Sequence, residues 1–281
     1  MLSSSEILDI VEVIYFGPAL LATVFVCVKH GFSREGGWLL LIILSLIRMI
    51  GASTGIAATE DPTDTGLVIC SLIMASTGST LIVATLTGIV NRVDSGSGRS
   101  SLPPRVRKWL QLMGLAAVIL GIVGGTKIAS SDSNTRSDGY TYTQAAVILI
   151  LVQYLASTAI LSFSAFNMRY ILDGDRTLFF CASMAAPFVL VRVIYSVCAA
   201  FNLTSSNLSL RSDTSAAIVI RAVLGIAMEI IAVSLFIIGG LTAPKIQKGE
   251  RTEGDMVMDE SKLPQERGVV GQAPHRPTHH C

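Results

Sequence analysis

Charged residues are scarce in this chain of 281 residues: Asp, Glu, Lys and Arg make up 15% of it, while hydrophobic residues make up 51%. A soluble protein of this size usually carries about a quarter charged residues, so the composition argues against a water-soluble domain. The formal net charge is only +1. This charge balance gives no indication of nucleic acid as a partner, and we expect none. Aromatic residues are also few, at 6%.

The cysteines have neither disulfide nor metal-ligand spacing. Four of the five lie in apolar segments, where cysteine acts as a small hydrophobic residue. The tripeptide His279-His280-Cys281 contains metal-ligand types, but we interpret it as incidental and expect no metal or other cofactor. The first residues, MLSSSEILDIVEVIYF, carry three acids and no basic region, unlike a cleavable signal peptide.

What the chain does contain is apolar runs of about twenty residues, the length that crosses a bilayer. They predict an all-α, polytopic membrane protein with seven transmembrane helices, at 7–28, 38–58, 66–90, 109–128, 143–166, 177–201 and 216–240. We expect one transmembrane domain over 1–242. The remainder, 243–281, is polar and rich in Gly, Pro and charge, which predicts a disordered tail.

Lysine and arginine in the loops predict the orientation, because cytoplasmic loops carry an excess of both. Segments 29–37, 91–108 and 167–176 and the tail are basic, whereas 59–65 has no Lys or Arg and 129–142 and 202–215 have one each. The N-terminus is therefore predicted outside or in a lumen, and the C-terminus in the cytosol. Two glycosylation sequons, at Asn202 and Asn207, fall in the last non-cytosolic loop, but so close to helix ends that we expect little or no glycan.

Small residues with four-residue spacing occur in two spans, at Gly51 and Gly55 and at Gly121 and Gly125. Such spacing lets two helix backbones approach closely in lipid. We interpret these glycines as ordinary helix-packing positions.

Five charged residues lie inside the apolar runs: Glu12, Arg48, Arg192, Arg221 and Glu229. Each costs roughly 2.5–3.5 kcal/mol at a bilayer centre and usually faces a bundle interior or a wet cavity. From a rise of about 1.5 Å per residue, Glu12 and Arg221 form an outer tier, Arg48 and Arg192 lie near the midplane, and Glu229 lies slightly beyond it. We regard these charges as the best indication of function.

The depths favour Arg192 and Glu229 as an interhelical pair, with Tyr195 on the same face as Arg192. Gln153 and Tyr154, at mid-span in the fifth helix, are further candidates for substrate binding or charge balance. With three arginines and two glutamates in the spans, one positive charge has no buried acidic partner. Asp9 or Asp213 could balance it near the outer face, and otherwise a ligand anion or a carbonyl would be needed.

Short motifs in the second, sixth and seventh spans resemble a family of fungal seven-helix integral membrane proteins. These motifs are Arg48-Met49-Ile50-Gly51, Pro187-Phe188, Val191-Arg192, Tyr195 and Glu229. The resemblance covers roughly residues 7–240. Some members resemble membrane-bound terpene cyclases of meroterpenoid or sesquiterpenoid biosynthesis. The acidic motifs of the better-known membrane cyclases of similar size cannot be placed in this sequence.

The resemblance implies proton-initiated cyclisation of a prenyl chain, often epoxidised, that enters from the bilayer. We expect an endoplasmic reticulum or other endomembrane location in preference to the plasma membrane, which the residues leave open, and, besides lipid, other pathway enzymes as partners. Glu229 and Glu12 are the candidate acids, and Glu229 is the first choice because it lies deeper. A carboxyl in hydrocarbon tends to stay protonated, whereas a paired arginine keeps it ionised, so we expect at most one of the two to donate the proton.

Three other functions remain open from the residues alone. Buried Glu and Arg also serve transporters as proton relays or substrate sites, although no convincing internal repeat is present. A receptor-like protein for a small molecule is a second alternative, and a scaffold without chemistry is a third. Turnover in membranes would separate the cyclase from these.

Overall fold

The computed structural model describes residues 3–30, 37–61, 64–96, 103–128, 130, 132–166, 173–201 and 215–243. Within these ranges the chain is helical and forms no strand. Six helices come first: α1 (Ser4–His30), α2 (Trp38–Glu60), α3 (Thr65–Gly96), α4 (Pro104–Ile128), α5 (Ser133–Phe166) and α6 (Asp173–Phe201). The seventh, α7, joins an α stretch (Ser215–Ile220), a π-helical stretch (Arg221–Ala227) and a second α stretch (Met228–Thr242).

All seven helices are long and apolar enough to cross a bilayer. Every span expected from the apolar runs lies inside one of them. The prediction of an all-α, seven-helix membrane protein is confirmed. Several predictions concern residues outside the described ranges: Asn202, Asn207, Asp213 and all of the tail except residue 243. These stay predictions, as does the orientation.

Helix α5 begins ten residues before its predicted span. Residues 133–142 are polar, so a search for apolar runs does not detect them. Asp132 precedes this polar extension. Its Oδ2 accepts hydrogen bonds from the Thr135 hydroxyl (2.7 Å) and the Thr135 backbone N–H (3.2 Å). This is the geometry of an N-cap, which satisfies a donor that the first helical turn leaves unpaired. These bonds lower the pKa of Asp132 below its usual value of 3.8.

The third helix lies at the centre of the bundle, where it packs against α2, α4, α5 and α6. Its C-terminal half is buried almost completely, and the largest core side chains gather around it: Leu41, Leu44, Ile82, Leu86, Ile89, Leu178 and Phe236. Exposed apolar side chains such as Leu21, Phe25 and Phe166 point away from the core, as expected of a surface in contact with lipid. The core thus occupies the half of the bundle near the end of α1.

The close approach of α4 and α5 is made by Gly124 and Gly139. A Cβ on Gly139 would lie 2.6 Å from the backbone nitrogen of Ile128, and one on Gly124 would lie 3.0 Å from the carbonyl oxygen of Gly139. Gly121, one of the glycines with four-residue spacing, has no atom within 4 Å of an added Cβ. The other three glycines of that spacing do make close contacts: an added Cβ would lie 2.8 Å from Met74 at Gly51, 2.5 Å from Asp9 at Gly55 and 2.7 Å from Ile73 at Gly125. The spacing therefore predicted three of its four packing positions and missed Gly124 and Gly139.

Candidate functional site

Glu229 of α7 is the most deeply buried ionisable group of the site, with 1% of its surface exposed. Arg48 of α2 binds it with two parallel bonds. The Nε–H of Arg48 donates to Oε1 (2.5 Å), and Nη2 donates to Oε2. This bidentate fork is the strongest geometry available to an arginine and a carboxylate, so the pair joins α2 firmly to α7.

Arg192 of α6 reaches the same carboxylate from the other side. Its Nε lies 3.2 Å from Oε2 of Glu229, so the expected Arg192–Glu229 pair is confirmed. The second arginine on Glu229, Arg48, was not predicted as its partner. The remaining donors of Arg192 contact the Ser196 hydroxyl (3.2 Å) and the Ala75 carbonyl (3.5 Å), and its guanidinium lies 5.6 Å from the ring centre of Tyr195. Arg192 is thus held by α3, α6 and α7 together.

The guanidinium of Arg48 fits against α3 at a glycine. A Cβ on Gly78 would lie 2.7 Å from both Nε and Nη2 of Arg48. Only a residue without a side chain leaves this space at the third helix. The remaining nitrogen of Arg48, Nη1, lies 3.7 Å from Oε2 of Glu12. Arg48 therefore stands between the two glutamates, with the tighter bonds to Glu229.

A cavity of about 60 Å³ lies beside this network, nearer the N-terminal end of α1. Helices α1, α2, α3, α6 and α7 contribute to its wall. The polar part of the wall consists of Asp9, Glu12, Arg48, Ser71, Arg192, Tyr195 and Arg221. Glu229 is absent from the wall because the two arginines cover it. Glu12, 7% exposed, is thus the buried glutamate that faces the cavity.

Arg221 reaches this cavity from the first turn of the π-helical stretch in α7. A π-helical turn holds about one residue more than an α turn, and such turns occur frequently at functional sites. Asp9 of α1, one of the two acids considered as a partner for Arg221, lines the same cavity. Among the described residues the site thus contains three arginines and three acids, so its formal charge is zero when all three acids are ionised.

One comparison with known proteins gives a match. A family described as "Domain of unknown function (DUF7702)" matches residues 2–246. The chain belongs to this family. The matched segment contains all seven helices and the whole ionic network of this DUF7702 protein. No curated protein and no solved structure matches the chain.

Two candidate residues of the DUF7702 chain lie outside the cavity wall. Gln153 donates from Nε2 to the Thr87 hydroxyl of α3 (3.2 Å), and the Tyr154 hydroxyl donates to the carbonyl of Ala186 in α6 (3.0 Å). Both side chains are buried. These bonds tie α5 to its neighbours, so the structure gives Gln153 and Tyr154 a packing role.

Tyr15, which the sequence did not single out, connects α1 to α7. Its hydroxyl lies 3.0 Å from the carbonyl of Ile230 and 2.6 Å from the hydroxyl of Ser234. Tyr15 lies one turn from Glu12 on α1, and Ile230 directly follows Glu229. In the sequence, the only sign of such a contact is that Glu12 and Tyr15 place two polar groups one helical turn apart inside an apolar run. The bond fixes the position of Glu12 relative to the Glu229 network in this family member.

The arrangement separates the two candidate acids of the DUF7702 site. Both oxygens of Glu229 accept bonds from arginine, which stabilises the ionised carboxylate and withholds it from the cavity. Glu12 has one longer ionic contact and opens onto the cavity. The site is therefore suited to hold a polar or protonatable group against Glu12, while Arg48, Arg192 and Glu229 form the fixed wall behind it.

Proposed function

We propose that the protein is a membrane-bound terpene cyclase that starts the cyclisation of a prenyl chain by protonating its terminal alkene or epoxide, with Glu12 as the proton donor. The observation that carries the proposal is the unequal placement of the glutamates. Glu229 is held by Arg48 and Arg192, whereas Glu12 lines the cavity. The resemblance to the fungal membrane cyclases supports the reaction class.

The proposed reaction needs an acid, a face for the cation and protection from water. Glu12 is the acid. The ring of Tyr195, whose centre lies 5.6 Å from the Arg192 guanidinium, also lines the cavity, and its other face would attract a cation. The apolar residues Ile47, Met74 and Ile226 also line the cavity and would limit the access of water. Because about 60 Å³ holds a few water molecules, the proposal requires the cavity to widen toward the bilayer when a prenylated substrate enters.

Membranes carrying the protein test the proposal directly. A panel of farnesylated phenols and their terminal epoxides should give cyclic products of equal mass or their hydrates, detected by liquid chromatography and mass spectrometry. Glu12→Gln should abolish the product while leaving the protein folded by size-exclusion chromatography. Glu60→Gln, at an exposed glutamate of α2, is the matched control and should keep full turnover. An active Glu12→Gln protein would remove Glu12 as the donor.

A second candidate is a transporter for a small polar solute, favoured by the size and charge of the cavity. A volume of about 60 Å³ with arginines and acids on its wall fits such a solute without widening. Proteoliposomes loaded with candidate solutes separate the two functions. Uptake without chemical change favours transport, whereas a cyclised product favours the enzyme.

A further inference from the structure

Glu12 needs a new proton after every turnover, and its surroundings offer few routes. It is 7% exposed and lines the cavity between the helices. Arg48, its nearest charged neighbour at 3.7 Å, does not release a proton under physiological conditions. A second acid between Glu12 and water would solve this problem.

Asp9 occupies the required position. It precedes Glu12 by three residues on α1, so the two side chains share one face of the helix, and both line the cavity. Asp9 is partly exposed, whereas Glu12 is buried. The order from the N-terminal end of the bundle inward is therefore water, Asp9, Glu12.

The Asp9 carboxylate packs against α2 and lies close to α3. A Cβ on Gly55 of α2 would lie 2.5 Å from Oδ2 of Asp9 and 3.3 Å from the hydroxyl of Ser71 of α3. Glu6 and Glu12 lie three residues to either side of Asp9 on its own helix, and Arg221 of α7 lines the same cavity. Asp9 thus lies between the acids of its own helix and a cation of α7.

We propose that Asp9 is the proton relay that reloads Glu12 from the aqueous phase at the N-terminal end of the bundle. The relay rests on the proposed cyclase function. In each turnover the O–H bond of Glu12 breaks as a C–H bond, or an O–H bond with an epoxide, forms on the substrate. The carbocation later loses a proton to water, and Asp9 takes one proton from water and passes it to the Glu12 carboxylate. Protons balance, and no group is oxidised or reduced.

Chemical rescue tests the relay by a readout that a structural role would not produce. Asp9→Ala should lower turnover at saturating substrate by roughly tenfold or more, with the product pattern unchanged. Added formate, which is small enough for the space that the substitution opens, should restore much of the rate. Glu12→Gln should stay inactive with formate, because the donor itself is missing. Glu60→Ala, at an exposed acid of α2 outside the cavity wall, is the control and should keep the full rate.

Water access to position 9 is tested without any substrate. In a protein whose native cysteines are replaced by alanine, Asp9→Cys should react with a membrane-impermeant thiol reagent, and Glu12→Cys should react more slowly. An unreactive cysteine at position 9 would overturn the relay, because no aqueous route would reach it.

The outcomes distinguish the relay from the enzyme. Full turnover by Asp9→Ala, or slow turnover that formate does not restore, overturns the relay and leaves the cyclase standing. A folded, unsubstituted protein that cyclises no member of the panel overturns the proposed function and the relay with it. Slow turnover, formate rescue and a reactive cysteine at position 9 together support the relay.

Discussion

Arg48 of α2 and Gly78 of α3 lie in direct contact. A Cβ on Gly78 would lie 2.7 Å from two nitrogens of the guanidinium, while those same nitrogens donate to Glu229. The absence of a side chain at residue 78 therefore sets where Arg48 lies, and Arg48 in turn sets which glutamate is covered.

We expect Gly78→Ala to disturb the network although it adds only a methyl group. The methyl cannot coexist with the present position of Arg48, so the substitution should destabilise the fold by about 1–3 kcal/mol, as overpacking usually does. The thermal midpoint in detergent, read by size-exclusion chromatography after heating, measures this. Gly121→Ala is the control, because that position has no atom within 4 Å of an added Cβ. Equal midpoints for the two variants would contradict the contact.

Glu229→Gln should be the most damaging single change among the site carboxylates. It leaves Arg48 and Arg192 buried without their carboxylate, and breaking a buried pair costs about 3–5 kcal/mol. Glu12→Gln should cost less, since Glu12 has one ionic contact at 3.7 Å. Denaturation of the two variants in the same detergent measures which of them has lost more stability.

The exposed Glu60 provides the reference for that series. Glu60→Gln should change stability by no more than about 0.5 kcal/mol, as surface substitutions do. If Glu229→Gln were as stable as Glu60→Gln, the double arginine contact would contribute nothing to the fold.

Tyr15→Phe should loosen α1 from α7 without opening a void. Removal of the hydroxyl loses the contacts to Ile230 and Ser234, and a hydrogen bond of this kind contributes about 0.5–1.5 kcal/mol. Tyr142→Phe on α5 is a matched control, because no hydrogen bond between helices involves its hydroxyl in the described residues. Hydrogen exchange of the first half of α1, followed by mass spectrometry, should rise in Tyr15→Phe and stay unchanged in the control.

The cap of α5 predicts a dependence of stability on pH. The pKa of Asp132 is lowered in the folded protein by bonds from Thr135, so its stabilising effect is complete above the usual value of 3.8. The effect is lost as the pH falls through the lowered folded pKa. Asp132→Asn keeps a good capping side chain without a titrating group. The gap in thermal midpoint between the unsubstituted protein and Asp132→Asn should therefore shrink in acid, and a gap that grows would contradict the cap.

Apolar runs in the sequence predict the seven helices because a span needs about twenty apolar residues wherever it packs. The same signal misses the first ten residues of α5, which are helical but polar. It also gives only the depth of a charge, not the direction in which its side chain points. Arg192 was correctly paired with Glu229 from depth, but Arg48 was not, since lipid-facing and core-facing positions of a membrane helix are both apolar. Gly78 belongs to no repeat of small residues, so its contact could not be predicted.

Arg48 and Glu229 are 181 residues apart in the chain, and this separation has a consequence for synthesis. At 5–20 residues per second, the ribosome takes roughly 9–36 s to reach Glu229 after it has made Arg48. For that interval the second helix enters the membrane without the carboxylate that will finally hold its arginine. Glu12, on the helix made immediately before, lies 3.7 Å from Nη1 of Arg48 in the finished fold. We therefore expect Glu12 to be the first acid that Arg48 meets during insertion, before Glu229 is made.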